Sequence, residues 1–293
     1  MAKHAKHPYE NNPFTIGLNG IKLLFSHAQS VAIFAIILCV MGFLANLASN
    51  IIDIVTSPEF SSYTGQSASR LPATSMPWQA PIYGDSASQA PINAATMAVV
   101  AIIIGTIIFG VIVLNIWIFG AFRYTSAQLA ADKQVALKEA LVESGRHLAG
   151  YLWLNIIAFT KILLWSLLFI IPGFIMAIRY SLAGTIFFAE GKKGNAAIKR
   201  SLELTKGAWL TTYAAKGIWN LITFGQIDTI LQPGADALLY RQLRDVTDAN
   251  QAKPSAHWLS WLTLFLPIAL FVIIFGFIVL MAFILIASGA SPQ

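Results

Sequence analysis

Two cations lie inside apolar stretches of this chain. Lys161 is about midway along Tyr151 to Ile171, and Arg179 interrupts Phe174 to Ala189. A charged side chain in such a stretch is costly to keep and marks a functional site by default. The chemistry the two could do together is capture of an anion, with arginine able to grip a carboxylate or phosphate through two parallel hydrogen bonds. If their helices run antiparallel about Pro172, Lys161 lies eleven residues before the turn and Arg179 seven after, a difference of about one helical turn. Two cations that close repel unless an anion is shared. Asn115 and Asn155 could add hydrogen bonds, and Asp228 is the acidic candidate in a later polar segment. These five residues form the candidate ligand-binding set. Two blander arrangements use the same residues. Lys161 or Arg179 could pair internally with Asp228, or each could snorkel along apolar surface on its own aliphatic stem.

Other constellations are weak or absent. Gly191-Lys-Lys-Gly has no preceding strand and lacks the spacing of a phosphate loop. His4 and His7 stand among lysines with no carboxylate or cysteine partner, so no metal site is expected. There is no HExxH, no GxSxG and no pair of carboxylates inside an apolar run. No catalytic residue, no cofactor and no enzymatic activity is therefore expected.

The elements that must position the candidate residues follow from composition. Of 293 residues, 57% are hydrophobic and 11% charged, against about a quarter charged in ordinary soluble domains. A mean hydropathy of +0.68 over the whole length excludes a disordered chain and a typical soluble enzyme. It indicates an all-α polytopic membrane protein. The single cysteine, Cys39, excludes an internal disulfide. The net charge of +6 is accounted for by basic residues at span edges, so nucleic acid is not an expected partner.

The chain divides as follows: a tail with an interfacial helix (1–30), a first span (31–52), a flexible Pro-rich loop (53–95), a second span (96–120), an amphipathic helix within 121–150, a hairpin of two spans (151–190), a second amphipathic helix (191–207), a polar helix pair (208–245), a linker (246–260), a final span (261–287) and a tail (288–293). That makes five clear spans. Pro172-Gly173 reads as the turn of the hairpin. Asn195 and Gly207 read as the N- and C-caps of the second amphipathic helix. The polar pair carries Lys216, Asn220, Gln226, Asp228, Gln232 and Asp236 with Pro233-Gly234 in its middle, and reads as two short re-entrant or tilted helices. Lysine and arginine concentrate in residues 1–30, 121–150 and 191–207, whereas residues 53–95 hold only Arg70. The N-terminus is therefore expected in the cytoplasm and the loop outside. On the cytoplasmic side Lys192, Lys193, Lys199, Arg200 and Lys206 form a surface for anionic phospholipid. A signal peptide is the competing reading of the first span, but its charged lead is long and its cleavage site poor.

Ile170-Ile-Pro-Gly-Phe-Ile-Met-Ala-Ile-Arg-Tyr-Ser-Leu-Ala183, continued by Phe188-Ala-Glu-Gly and Ala197-Ile-Lys-Arg-Ser-Leu-Glu-Leu-Thr-Lys-Gly-Ala-Trp209, resembles a family of bacterial multi-pass proteins. That family includes the YciC-like proteins and the membrane domain fused to some glycerophosphodiester phosphodiesterases. Ala237-Leu-Leu-Tyr-Arg-Gln-Leu-Arg244 resembles the end of its last helix. The resemblance covers roughly residues 13–245. The chain departs from the family in its polar segment after Trp209, in the added final span, and in lacking a phosphodiesterase domain. The resemblance implies a six-helix-like membrane domain with a role in envelope or lipid homeostasis. Transport or conduction of an anionic lipid or solute is the alternative, favoured by the polar, broken segment and the cations inside spans.

Overall fold

The structure, a computed structural model, describes residues 9–56, 94–223, 225 and 227–287, and these are helical with short connections. The helices are α1 (Pro13–His27), α2 (Gln29–Thr56), α3 (Ala94–Leu129), α4 (Leu137–Arg146), α5 (Leu148–Leu168), α6 (Ile170–Tyr180), α7 (Ala183–Glu190), α8 (Asn195–Thr205), α9 (Trp209–Thr223), α10 (Asp228–Asp248) and α11 (Trp258–Ala287). Five stretches are long and apolar enough to cross a membrane: Gln29–Asn50, Ala101–Leu129, Leu148–Leu168, Ile170–Glu190 and Trp258–Ile284. The Pro-rich loop of 53–95 falls outside the described residues from residue 57 to 93, as do His4, His7 and the tail after residue 287.

The described residues fall into two units, one drawn from residues 40–115 and the other from the remainder. In the first, α2 from Val40 onward and α3 up to Asn115 carry large apolar side chains that face outward, among them Met41, Phe43, Ile102 and Phe109. A Cβ added at Gly42, Gly105 or Gly110 would meet no heavy atom within 4 Å.

The second unit holds a packed core of Ile16, Leu24, Phe122, Leu129, Leu154, Ile186, Ile198, Leu204 and Tyr240. Asn12 starts α1 by accepting the Phe14 N–H at 3.0 Å, with Pro13 supplying a φ already suited to the first turn. α1 is a helix of its own: it ends at Ala28, whose φ of −145° breaks the path into α2. It lies against α10 so closely that a Cβ on Gly234 would sit 1.9 Å from the Gly20 carbonyl oxygen. Only glycine at both positions permits that approach.

Several boundaries differ from those expected. The amphipathic helix expected within 121–150 is divided. Its first residues continue α3 to Leu129, a turn follows in which Asp132 takes φ +54°, and α4 begins at Leu137. The Val135 N–H donates to the His27 carbonyl at 2.8 Å and the Leu137 N–H to Ser30 Oγ at 2.9 Å, which ties that turn to the α1–α2 elbow. The hairpin turns at Phe169, which is extended, and not at Pro172-Gly173. Pro172 occupies the first turn of α6, where the helix needs no N–H from it. Gly173 instead lets the two helices touch: a Cβ there would lie 2.7 Å from Ser166 Cα. The second hairpin helix is broken between α6 and α7 at Ser181-Leu182. Asn195 is not the cap of α8 but its first residue, following Gly194 at φ +49°. The polar segment does fold as two helices, yet α10 runs unbroken through Pro233 to Asp248.

Candidate functional site

Asp236 on α10 is fully buried and faces two cations from two other helices. Arg123 Nη1, from the last turns of α3, contacts Asp236 Oδ2, and Lys216 Nζ, from α9, lies 2.6 Å from Oδ1. Their side chains retain 13% and 16% exposure, so the cluster is nearly dry. Two basic side chains thus converge on one carboxylate. The placement of Asp236 follows from its neighbours. Pro233-Gly234 presses α10 on α1, and Asp236, two residues on and roughly 200° around the helix, points away from that contact toward α3 and α9.

A cavity of about 160 Å³ opens beside Arg123, bounded by α5, α6 and α7. Its polar lining is Arg123, Tyr151, Asn155, Tyr180 and Ser181; its apolar lining includes Leu154, Ala158, Ile162 and Ala177. Gly184 makes room for the arginine stem, since a Cβ there would meet Arg123 Cγ at 3.0 Å and Cδ at 3.2 Å. Asn155 Nδ2 donates to the Tyr151 carbonyl at 2.8 Å, leaving its amide oxygen as an acceptor. Ser181 Oγ is buried without a hydrogen-bond partner. Ser181 itself lies at the break between α6 and α7 and lines the cavity.

A second polar network joins the ends of α7, α8 and α10. Glu190 Oε1 accepts from Tyr240 OH at 3.0 Å and Arg200 Nε at 3.3 Å, while Oε2 lies 2.7 Å from Lys192 Nζ. Arg200 also contacts Asp248 at 2.5 Å and Glu203 at 3.5 Å. Burial works against the Arg200 charge, but the hydrogen bond to Asp248 and the charges of Glu190 and Asp248 outweigh it and raise the guanidinium above its ordinary value. Lys253 Nζ donates to the carbonyls of Glu203, Leu204 and Lys206 at 3.1, 2.7 and 2.8 Å, closing the C-terminal end of α8. This network ties three elements together.

The residues singled out from sequence are dispersed. Lys161 Nζ donates to Asn195 Oδ1 at 2.7 Å, and Arg179 Nη2 donates to the Leu202 carbonyl at 3.1 Å. Both hold α8, but at points seven residues apart, roughly 10 Å along the helix, so they do not converge on one anion. Asp228 begins α10 and accepts from Asn220 Nδ2 at 3.3 Å, with neither cation as its partner in an ion pair. Asn115 donates back to the Val111 carbonyl of its own helix at 2.9 Å. Of the five, Asn155 alone lines the cavity. Among the basic surface residues, Lys192 and Arg200 are engaged by carboxylates, whereas Lys193, Lys199 and Lys206 are exposed.

Sequence reasoning missed the Arg123–Lys216–Asp236 cluster as a unit. Each residue is visible as a charge, but the three come from separate helices far apart in the chain. The available signal was Asp236 itself, an acidic residue among small apolar ones beside Pro233-Gly234. In comparisons with protein-family models, curated proteins and solved structures, nothing matches this chain.

Proposed function

We propose that this chain is a non-enzymatic, multi-pass cell-membrane protein of the YciC-like type, acting in envelope or lipid homeostasis. The observation that carries the reading is the buried cluster in which Arg123 and Lys216 share Asp236, with Arg123 on the wall of a cavity rich in hydrogen-bonding groups. A guanidinium beside the hydroxyl-bearing residues Tyr151, Tyr180 and Ser181 suits an anionic group. The five apolar helices keep such a site within reach of lipid. In the orientation read from the basic residues, the N-terminus is cytoplasmic, and α9 and α10 enter and leave on that side. Lys193, Lys199 and Lys206 then face the inner leaflet, each cation worth about 1 kcal/mol against anionic phospholipid.

Native mass spectrometry of the protein released from membrane tests the reading. Wild type is expected to retain an anionic lipid that a folded Arg123→Gln variant lacks, and no retained lipid on either form overturns it. Single cysteines at Gln242 and Ala256 in a Cys39→Ala background test the topology, where labelling from outside the cell would sink the cytoplasmic assignment.

A second reading is a transporter or channel for an anionic lipid or solute. The interruption at Ser181-Leu182 favours it, because broken helices expose backbone groups where solutes bind. Exchange of anionic solutes by reconstituted vesicles, lost in Arg123→Gln, would move this reading ahead of the first.

A further inference from the structure

We propose that the cavity beside Arg123 binds a single-chain anionic amphiphile. Its carboxylate or phosphate monoester would lie on the Arg123 guanidinium, with its hydrocarbon chain starting past Ile162 and Ala177 and leaving along the exposed apolar face of the α5–α6 hairpin. The proposal rests on the lipid-handling reading above and names its ligand class.

The register of the hairpin sorts the cavity wall into two ends. α5 and α6 run antiparallel from Phe169, so positions equally far from Phe169 face each other. Ala158 and Tyr180 each lie eleven residues from it, and Leu154 and Gly184 each lie fifteen. Arg123 enters at the far end, against Gly184 and Tyr151. Asn155, Tyr180 and Ser181 belong to the same half. Ile162 and Ala177, seven and eight residues from the turn, form the near end and are wholly apolar. Beyond them the hairpin tip is strongly exposed and apolar, with Leu167 at 82% and Ile170 at 83% exposure. The path from Arg123 to that tip thus runs from charge, through hydrogen-bonding groups, to hydrocarbon. A ligand with one anionic head and one chain matches that order.

Charge and size narrow the class. Arg123 is the cation on the cavity lining, so the site favours an anionic head over a neutral or zwitterionic one. An inorganic phosphate would have to desolvate against Ala158, Ile162 and Ala177 with no partner there. At about 160 Å³ the cavity lies below the roughly 300 Å³ at which pockets enclose a drug-sized ligand. It therefore takes the head and the start of a chain, and the remainder lies along the apolar hairpin.

The test uses the full chain in neutral nanodiscs, with oleate, oleoyl lysophosphatidic acid, oleoyl lysophosphatidylcholine and inorganic phosphate as probes. Affinity and thermal shift are read for wild type, Arg123→Gln and Ala177→Leu. Ala177→Leu fills the apolar end and leaves the charged cluster intact. Oleate and the lysophosphatidic acid are expected to bind wild type, and both are expected to weaken at least tenfold in each variant. Equal binding of the lysophosphatidylcholine, binding of inorganic phosphate without preference for the amphiphiles, or undiminished binding in Ala177→Leu would overturn the assignment. If the amphiphile probes fail while native anionic lipid still co-purifies with wild type and not with folded Arg123→Gln, this proposal falls and the lipid-handling reading stands. If wild type carries no lipid of any kind, both fall.

Discussion

At the scale of single residues, the buried charges dominate. Among the described residues, Asp236 is the carboxylate that forms ion pairs with both Arg123 and Lys216. Asp236→Asn leaves two cations nearly dry and unmatched, and should destabilise the fold by about 3–5 kcal/mol. Lys216→Met, which leaves a one-to-one pair, should cost clearly less; thermal unfolding of the purified variants ranks them, and the reverse order would discredit the cluster. Tyr9 supplies a pH test away from the spans. Burial pushes its hydroxyl up to about 12, with a hydrogen bond to Thr211 pulling the other way. The folded state keeps a proton that the unfolded chain releases near the ordinary value of 10. The Tyr9 contribution is therefore complete below pH 10 and declines as pH rises toward 12. Tyr9→Phe should flatten the unfolding curve over that window, and an unchanged slope would contradict it. Individual charges were legible from the sequence; their partners were not. Lys161 and Arg179 drew attention as cations within apolar runs, yet both end on α8, one on a side chain and one on a carbonyl.

At the scale of elements, close helix contacts decide the geometry. Gly20 and Gly234 bring α1 and α10 into backbone contact, and that contact turns Asp236 inward. Gly234→Ala forces a Cβ into the Gly20 carbonyl and should cost about 3 kcal/mol, the upper end for overpacking. The hairpin gives a paired contrast. Gly173→Val must push Ser166 away and should destabilise by a similar amount, whereas Pro172→Ala, in the first turn of α6, should change stability by less than about 1 kcal/mol. Equal effects at the two positions would mean the turn sits at Pro172-Gly173 after all. Hydrophobic runs made the long helices plain from sequence. Breaks were harder, because proline and glycine mark turns and close contacts alike. Pro172-Gly173 and Pro233-Gly234 both read as interruptions, and both lie inside continuous helices. The real breaks, at Phe169 and Ser181-Leu182, use residues with no breaker character.

At the scale of the molecule, apolar surface faces outward from helices long enough to cross a bilayer. α11 packs its first turns, through buried Ser260 and Thr263, and exposes large apolar side chains along the rest. A charge at the middle of such a helix costs about 2.5–3.5 kcal/mol on insertion. Ile273→Arg should therefore lower the membrane-integrated fraction in an insertion assay, and full integration would show that α11 does not face lipid. Taken alone, the sequence determined that the chain is helical, that five stretches can span a bilayer, and where the basic residues concentrate. These are properties of local composition, because burying a helix in lipid depends on the hydropathy of consecutive residues. Tertiary structure alone decided that Arg123, Lys216 and Asp236 meet, that Lys161 and Arg179 do not, and that a cavity opens between α5, α6 and α7. Those outcomes depend on which faces of distant helices are pressed together, and the close contacts at Gly20, Gly173, Gly184 and Gly234 set that choice through the absence of a side chain.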